Sequence, residues 1–510
     1  MSMFQFFRSR CLLIVMSVAT AMAIGGCSSE ETPSEPETSS EVQEEESSAS
    51  TEAAAETVAA EQVELATNTR VPESPQTSIK EHLEGLRPIR KLGGRIFFDS
   101  RMSNPGANLA TSCSTCHVPP FWSNGQKVYS DNLAVSVIPA NSRGGKLTAV
   151  RNTPSLQDAK LSPSLNADGA YGNLDGVVRE KLISEHLGWE SDQELQAYNE
   201  IHALMLNDQG DDLFADGTYI EQFKAAADVN LEALAQEDVI TQVVEAVKAY
   251  LRSIETKNTS AYDALAFLNR FNEGLGDAND TPQAMSGRIY GRIANQEGRV
   301  LIRFPNIYTE EAYQGYKTFI RVEPTFSSSV EGLEENIGNC IACHVPPRFT
   351  DGSFHNTGTA QTDYDATHGE GAFAKLNAED AVFARVTADD PSKIDLGRYN
   401  VQASEGAVGL FRTPGLRNIE LTAPYNHDGR LMTLEDVIRH KIMVSEMAKA
   451  GTLRNPDPAY LTMNITEKDV PTLAAFLRTL REVPEEEYRD FRIENVRIRQ
   501  DQMEDATYEN

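Results

Sequence analysis

The chain has 510 residues, a length that exceeds one ordinary core and suggests two folded domains. Hydrophobic residues make up 40% of the chain, which is enough to form globular cores. Its formal net charge is −30, and such acidity repels phosphate, so the composition argues against nucleic-acid binding. Much of this acidity lies in one segment near the N-terminus, so the net charge overstates the acidity of the folded part.

Residues 1–26 are typical of a bacterial export signal, because two arginines precede an apolar run that ends in small residues. The run is too short for a stable membrane span. Its end, IGGC, resembles a lipobox and makes Cys27 the predicted lipidation site; a plain secretory signal with a chance cysteine is the alternative. A lipid on Cys27 would anchor the protein without spanning the membrane. We expect a periplasmic protein anchored at the outer membrane.

Residues 27–78 are predicted to be an acidic disordered linker. Between residues 28 and 66 there are twelve Glu and no Lys or Arg. One-sided charge and low hydrophobicity leave nothing to bury, so this segment is expected to act as a tether.

One string occurs twice, as CSTCHVPPFWSNG at 113–125 and as CIACHVPPRFTDG at 340–352. CxxCH is the attachment signature of c-type haem, in which two thiols bond to the macrocycle and the adjacent His ligates iron. A structural zinc site would require four ligands close together, whereas these two CxxC pairs are 227 residues apart. A redox dithiol would require a βαβ context that the sequence lacks. We therefore predict two covalent haems. Their residues are the first attachment motif (Cys113, Cys116, His117) and the second attachment motif (Cys340, Cys343, His344).

The repeat is larger than the motif, because residues 152–182 align without a gap over residues 412–442, with 11 of 31 positions identical. The helical spacing of apolar residues in both segments, each preceded by a capping Asn or Thr, indicates equivalent helices. Further amphipathic helices are predicted at 229–255 and 464–481. The sequence therefore predicts a mainly α fold of two tandem cytochrome c-like haem domains. Their bounds are 79–260 and 261–482, followed by a charged tail at 483–510.

These strings resemble the bacterial di-haem cytochrome c peroxidase family, which includes the MauG-type enzyme that matures methylamine dehydrogenase. The likeness covers roughly residues 80–482 and is carried by LGGRIFFDSRMSNPG, RNTPSL, FTDGSFHNTG and FRTPGLRNIELTAPYNHDGRLMTLEDVIRH. The resemblance implies that the C-terminal haem receives electrons from a small c-type cytochrome or cupredoxin. It also implies that the N-terminal haem reduces hydrogen peroxide, and that a calcium ion lies between the domains.

The resemblance places calcium ligands at Asn152, through its side chain, and at Thr422 and Pro424, through their carbonyls. Oxygen donors suit a hard divalent cation. Without the resemblance, Asn152 would be interpreted as a capping or turn residue.

The sixth ligand of the second haem departs from the family pattern. The family places Met or Tyr fourteen residues after the position of His427, and here that count gives Lys441. A lysine ligates iron only after losing a proton, and burial lowers the pKa from its ordinary value of about 10.4. His440 and Met443 are adjacent but would face elsewhere on a helix. The alternative is a solvated Lys441 and a five-coordinate iron.

The first haem has different distal candidates. Lys181 is the repeat partner of Lys441, and no His lies between His117 and His186, so this haem is either open or capped by Lys181. Peroxide cleavage requires a base. The family count for a distal Glu lands on Leu187, which follows Glu185 and His186. Glu185 lies four residues after Lys181 and is expected on the same helical face. We predict Glu185 and Lys181 as the catalytic pair, with His186 in reserve; each could instead be an ordinary helix residue.

The family's Trp between the haems is Ala167 here, with Trp122 or Tyr171 as speculative substitutes. This departure casts doubt on long-range protein oxidation more than on peroxide reduction. His355 and His427 are interpreted as hydrogen-bonding residues near a haem or the domain interface.

Together these features predict a lipid-tethered di-haem peroxidase that takes electrons from a small redox protein. A MauG-type oxidase acting on a protein or organic substrate is one alternative, and a non-catalytic electron-transfer protein with two six-coordinate haems is another. A homodimer is compatible with the sequence.

Overall fold

The computed structural model describes most of the chain after residue 82. The described residues are 83–107, 110–123, 126–130, 137–138, 147–148, 151–210, 217–272, 280–294, 308–323, 337–376, 395–483 and 488–489. For residues 118–123, 126–130, 137–138 and 147–148 only the backbone is described. The predicted export signal, Cys27, the acidic linker and nearly all of the predicted tail lie outside the described residues.

Helices make up most of the regular structure, which confirms the predicted mainly α class. The α-helices are α1 (Pro88–Phe98), α2 (Cys113–Cys116), α3 (Leu174–Leu182), α4 (Glu194–Asn207), α5 (Tyr219–Ala227), α6 (Gln236–Leu251), α7 (Ala261–Leu268), α8 (Pro282–Ala294), α9 (Glu310–Ile320), α10 (Thr359–His368), α11 (Leu434–Lys449), α12 (Pro458–Thr462) and α13 (Val470–Arg478). The strands are β1 (Val118–Ser123), β2 (Gln126–Ser130), β3 (Val137–Ile138), β4 (Leu147–Thr148), β5 (Phe354–Asn356) and β6 (Leu410–Arg412), paired antiparallel in that order. No described helix is both long enough and apolar enough to cross a membrane.

The two repeat helices α3 and α11 begin where the sequence predicts. The side chain of Asn173 accepts from the Gly176 N–H and caps α3, and Thr433 caps α11 in the same way through Asp436 N–H. Each cap satisfies an N–H that the first helical turn leaves unpaired. The helices predicted at 229–255 and 464–481 are shorter in the structure, as α6 and α13.

One local expectation is wrong. Helix α3 ends at Leu182, Ser184 is extended, and Glu185 lies in a separate 3-10 turn that ends at Gly188, which adopts a positive φ. Lys181 and Glu185 therefore do not share a helical face. The sequence pattern continued beyond the point where the backbone leaves the helix.

The apolar side chains form two large clusters. The first runs from Leu83 to Ile254 and the second from Ala261 to Leu480. Each contains one closely packed helix pair, α1 with α6 in the first and α9 with α13 in the second. The tandem-domain boundaries remain a prediction, but this division of the core lies at the same place in the chain.

A glycine permits each helix pair to pack at short distance. A Cβ on Gly93 in α1 would lie 1.8 Å from the carbonyl oxygen of Ala246, and one on Gly315 in α9 would lie 1.9 Å from that of Thr472. No real Cβ fits at such distances. The two halves therefore use the same device, in which backbone meets backbone between two helices.

Polar contacts join the segments that connect the clusters. The buried carboxylate of Glu482 accepts from the backbone N–H groups of Lys257 and Asn258 and from the side chains of Gln157 and Asn418. Four donors compensate the loss of hydration on burial.

We expect Gly315→Ala to lower the free energy of unfolding by about 1–3 kcal/mol, because α9 must move away from α13. Gly291→Ala is the matched control. Gly291 also lies in a helix, α8, but a Cβ there meets nothing within 4 Å, so alanine should stabilise by about 0.5–1 kcal/mol. Denaturant unfolding followed by circular dichroism measures both; equal effects would contradict the close-packing argument.

Candidate functional site

The first attachment motif lies on a single helical turn. Helix α2 contains both cysteines, and the N–H of His117 donates to the carbonyl oxygen of Cys113 at 2.9 Å. The N–H of Ser112 donates to Oγ1 of Thr115 at 3.0 Å and fixes the start of the turn. The turn holds the two sulfurs and the imidazole within one short segment, as covalent attachment and iron ligation by the same segment require.

This motif lines a cavity of about 320 Å³. Apolar side chains of α1, α3 and α6 form much of its wall, which suits an aromatic macrocycle. All three predicted distal residues, Lys181, Glu185 and His186, also line the cavity. The structure thus brings together the candidate proximal and distal residues of the first haem, although α3 and the 3-10 turn contribute them separately.

The distal candidates have different surroundings. The Lys181 ammonium lies 3.0 Å from a carboxylate oxygen of Glu180, and its side chain is 37% exposed. Glu185 is exposed, whereas His186 is half-buried, and its carbonyl accepts from the Thr111 hydroxyl at 3.0 Å. Lys181 therefore pairs with its neighbour in sequence and not with Glu185.

The second attachment motif has similar backbone geometry, and a hydrogen bond fixes the orientation of its imidazole. The N–H of His344 donates to the carbonyl oxygen of Cys340 at 2.8 Å. Its Nδ1 lies 2.9 Å from the carbonyl oxygen of Phe349, an acceptor, so Nδ1 carries the proton and donates. Nε2 is then left as the nitrogen for a metal, an arrangement common in metal-ligating histidines.

Burial keeps both imidazoles neutral. It lowers the pKa of His117 to about 4, with the nearby Lys181 charge adding to the effect, and it lowers the pKa of His344 to about 4 against the opposing hydrogen bond to Phe349. Burial raises the pKa of Cys113 and Cys340 to about 12. Neutral imidazole is the form that ligates iron, so the residues present fit a haem at each motif.

Lys441 lies close to the second attachment motif. Burial lowers its pKa to about 8, against the opposing effect of Cys343 and Cys340. Its Nζ lies 5.9 Å from the centre of the Tyr460 ring. Thioether formation would remove the ionisable thiols that oppose the shift. A neutral amine is thus accessible at this position.

The two neighbours of Lys441 face elsewhere, as predicted. Nε2 of His440 donates to the carbonyl oxygen of Thr357 at 2.9 Å, and Met443 is 39% exposed. Helical rotation separates the three side chains.

Asn152 lies beside a predicted calcium-ligand carbonyl. Its backbone N–H donates to the carbonyl oxygen of His427, and its Nδ2 donates to that of Pro424, both at 2.6 Å. Its Oδ1 is buried without a hydrogen-bond partner. The Thr422 hydroxyl donates to the carbonyl oxygen of Ile419. An unpaired buried oxygen beside a carbonyl fits a hard cation.

Sequence reasoning missed an ionic cluster that joins the two halves. Arg151 contacts Asp168 through NH1 and Asp395 through Nε, both at 2.6 Å, and all three residues line the cavity. Burial opposes ionisation of Asp395, but the hydrogen bond and charge of Arg151 lower its pKa overall. The only sequence signal was the position of Arg151 next to Asn152, since 244 residues separate it from Asp395.

The position of the family's tryptophan lies at this junction. Ala167 packs against an apolar cluster that includes Phe411, and its carbonyl accepts from the Arg412 N–H at 2.8 Å. Tyr171 packs against the first large cluster, near Gly176. The Trp122 side chain lies outside the described part of the structure. Neither substitute is placed beside Ala167 by the described contacts.

The two histidines interpreted as hydrogen-bonding residues have charged neighbours. His355 lies between Asp351 and Asp457. His427 stacks on Phe411, with ring centres 3.7 Å apart, and its Nε2 lies 3.9 Å from Asp395.

The chain is similar to several known proteins. A family model described as di-haem cytochrome c peroxidase matches residues 88–270. Cytochrome-c peroxidase IdrP2 of Denitromonas iodatirespirans is 22% identical over 367 residues, which cover 71% of this chain and 75% of that protein. The methylamine utilization protein MauG of Methylophilus methylotrophus is 22% identical over 391 residues, which cover 76% and 81%. The family model covers one segment of the chain, whereas these relatives align over most of its length.

The match to this family model and the names of the relatives support an oxidoreductase, and the family implies two c-type haems. The family is typically periplasmic. Among solved structures, a MauG-like protein associated with microbial copper homeostasis is 22% identical, with 78% of this chain and 90% of that chain covered and a TM-score of 0.46.

Proposed function

We propose that the protein reduces hydrogen peroxide to water in the cavity beside the first attachment motif, with electrons relayed from the second. The observation that carries the proposal is the shared cavity, which is lined by the first attachment motif and by Lys181, Glu185 and His186. When bound, a c-type haem supplies an iron that exchanges electrons with peroxide. The reaction consumes two electrons and two protons and yields two water molecules, so the cavity must also move protons.

Glu185 is the proposed base. Its carboxylate would take a proton from one oxygen of peroxide and return it to the other, which leaves as water when the O–O bond breaks. The two electrons and two protons then reduce the remaining oxygen to the second water. The Lys181 ammonium places a positive charge on the same cavity, where it stabilises the developing negative charge on oxygen. His186 is the reserve proton carrier. Because Glu185 is exposed, it can also exchange protons with solvent.

Lys441 is the proposed sixth ligand of the second haem. Its buried position and lowered pKa favour the neutral amine, and a filled sixth position would limit that haem to electron relay. Lys181, its repeat partner, forms an ion pair with Glu180, which favours an accessible first haem. The proposal therefore assigns different work to two related sites.

Calcium and the remaining partners complete the proposal. Asn152, Thr422 and Pro424 are proposed to bind one calcium ion between the halves, supported by the unpaired Oδ1 of Asn152. The proposed donor is a small c-type cytochrome or cupredoxin. Lipidation of Cys27 would place the protein on the periplasmic side of the outer membrane, with the acidic linker as a tether.

Glu185→Gln should lower kcat/KM for peroxide by about 100- to 10,000-fold, because the amide cannot accept the proton. Glu190→Gln, an exposed glutamate just beyond the same turn, is the matched control and should retain activity. Stopped-flow kinetics with a reduced cytochrome donor measures both. Full activity of Glu185→Gln would remove its proposed role, and no peroxide turnover by the wild-type protein would remove the proposed function.

Lys441→Ala should convert the second haem from low spin to high spin, because the iron loses its proposed sixth ligand. Lys449→Ala removes a lysine from the same helix and should leave the spectrum unchanged. Electron paramagnetic resonance of both ferric proteins distinguishes them. An unchanged low-spin signal in Lys441→Ala would eliminate this ligand assignment.

Asn152→Ala should abolish Ca²⁺ binding by the chelator-treated holoprotein, because it removes the side-chain oxygen ligand. Isothermal titration calorimetry should give one site in the wild-type protein. Asn207→Ala, which removes an exposed amide on α4, should bind as the wild type does. Equal Ca²⁺ binding by both variants would contradict the site.

A further inference from the structure

His355 lies between two carboxylates beside the second attachment motif. It belongs to β5, where it is paired with Phe411 of β6. Its Nδ1 lies 2.5 Å from Oδ2 of Asp457, and its Nε2 lies 2.9 Å from Oδ2 of Asp351. The three side chains are 17–20% exposed, so solvent screens them only partly. We call them the His355 cluster.

Both ring nitrogens must carry protons. An ionised carboxylate only accepts hydrogen bonds, so each nitrogen that faces one has to donate, and the imidazole is cationic. Burial opposes this charge, but the hydrogen bonds to Asp351 and Asp457 raise the pKa of His355, and in the absence of haem attachment the Cys343 thiol raises it further. The same bonds lower the pKa of both carboxyls, against their own burial. At neutral pH the His355 imidazolium and the two carboxylates are therefore all charged and in contact.

Other bonds hold the carboxylates in place. Oδ1 of Asp351 accepts from the N–H of Ser353 at 2.9 Å, and Oδ1 of Asp457 accepts from that of Ala459 at 2.8 Å, as the N-cap of α12. Each aspartate thus uses one oxygen for the backbone and one for His355. Backbone hydrogen bonds therefore fix the carboxylate on each side of the imidazole.

The cluster lies against the macrocycle edge expected at Cys343. The Cys343 sulfur, a His355 nitrogen and an Asp457 oxygen all lie within 4.8 Å of one another, and the N–H of Asp351 donates to the Cys343 carbonyl at 2.8 Å. A free thiolate in such a group could bind a metal ion. A thioether has no thiolate, so after haem attachment the group no longer suits a metal ion. The charges of His355 and the aspartates then remain beside the haem.

The cluster is also linked to the surroundings of Lys441. Asp457 starts α12, and the ring of Tyr460 on that helix is the one beside the Lys441 amine. His355 therefore ties the loop that follows the second attachment motif to the helix that packs near Lys441.

We propose that the His355 cluster sets the reduction potential of the haem at the second attachment motif. The imidazolium stabilises the reduced haem, which carries one positive charge fewer than the oxidised haem, and the two carboxylates oppose it. His355 acts as a positioning residue that holds this charge balance. The inference rests on the haem attachment in the proposed function, and it is independent of peroxide reduction.

The test is a redox titration of the holoprotein at pH 6, where one remaining carboxylate keeps the imidazole protonated. His355→Gln should lower the potential of the second haem, because two carboxylates lose their cation. His355→Arg keeps a cation and should stay close to the wild-type potential, although it disturbs packing more. Asp457→Asn keeps an N-cap and should raise the potential. Raising the salt concentration should shrink these shifts, because the cluster is partly exposed.

The reduction potential of the first haem is the internal control and should not change in any variant. His368→Gln replaces an exposed histidine stacked on Tyr364, and it should leave the potential of the second haem unchanged. An equally lowered reduction potential of the second haem in His355→Gln and His355→Arg would show a packing effect and overturn the proposal. A shift in the same direction in His355→Gln and Asp457→Asn would overturn it as well. Unchanged potentials would also overturn it. Intact-protein mass spectrometry reports haem attachment, so a failure of that premise is recognised separately.

Discussion

The neutrality of nitrogen ligands in a low-dielectric interior is the constraint on which the two motifs depend. Iron requires an imidazole or amine with a free lone pair, and solvent would keep a lysine protonated. Burial gives both His117 and His344 a low pKa, and it brings the pKa of Lys441 close to neutrality. The fold secures this burial through close helix pairs, and glycines permit that approach by bringing backbone against backbone.

The two halves share this solution but differ where the chemistry would differ. Lys181 and Lys441 occupy equivalent places in the repeat, yet Lys181 forms an ion pair with Glu180, whereas burial lowers the pKa of Lys441 beside two cysteine sulfurs. The early end of α3 adds to the difference. It brings Glu185 and His186 to the cavity on a separate turn, whereas α11 continues for two more turns past Lys441. The difference in helix length thus gives the first site an exposed carboxylate on a separate turn, where the second site has a continuous helix.

Patterns that are local in sequence predicted the structure well. The attachment motifs, the capping residues Asn173 and Thr433 and the helical class follow from spacing within a few residues, and the gapless repeat led to both lysines. The error at Glu185 has a local cause as well, since helical periodicity does not record where a backbone turns out of the helix. Contacts between distant segments were not predictable. Arg151 meets Asp395 across 244 residues and His355 meets Asp457 across 102, and no spacing rule connects such pairs.

These distant pairs also explain why a net charge of −30 says little about either site. Charges on the surface are screened beyond about 8 Å at physiological ionic strength. Partly buried charges are screened less, and two such cations are each paired with aspartates here. Arg151 contacts two at the junction of the halves, and His355 contacts two more beside the second attachment motif. Both groups carry one cation between two carboxylates, so each contributes one net negative charge at short range. The charges nearest the two attachment motifs therefore include these paired side chains, which the net charge of the chain does not reveal.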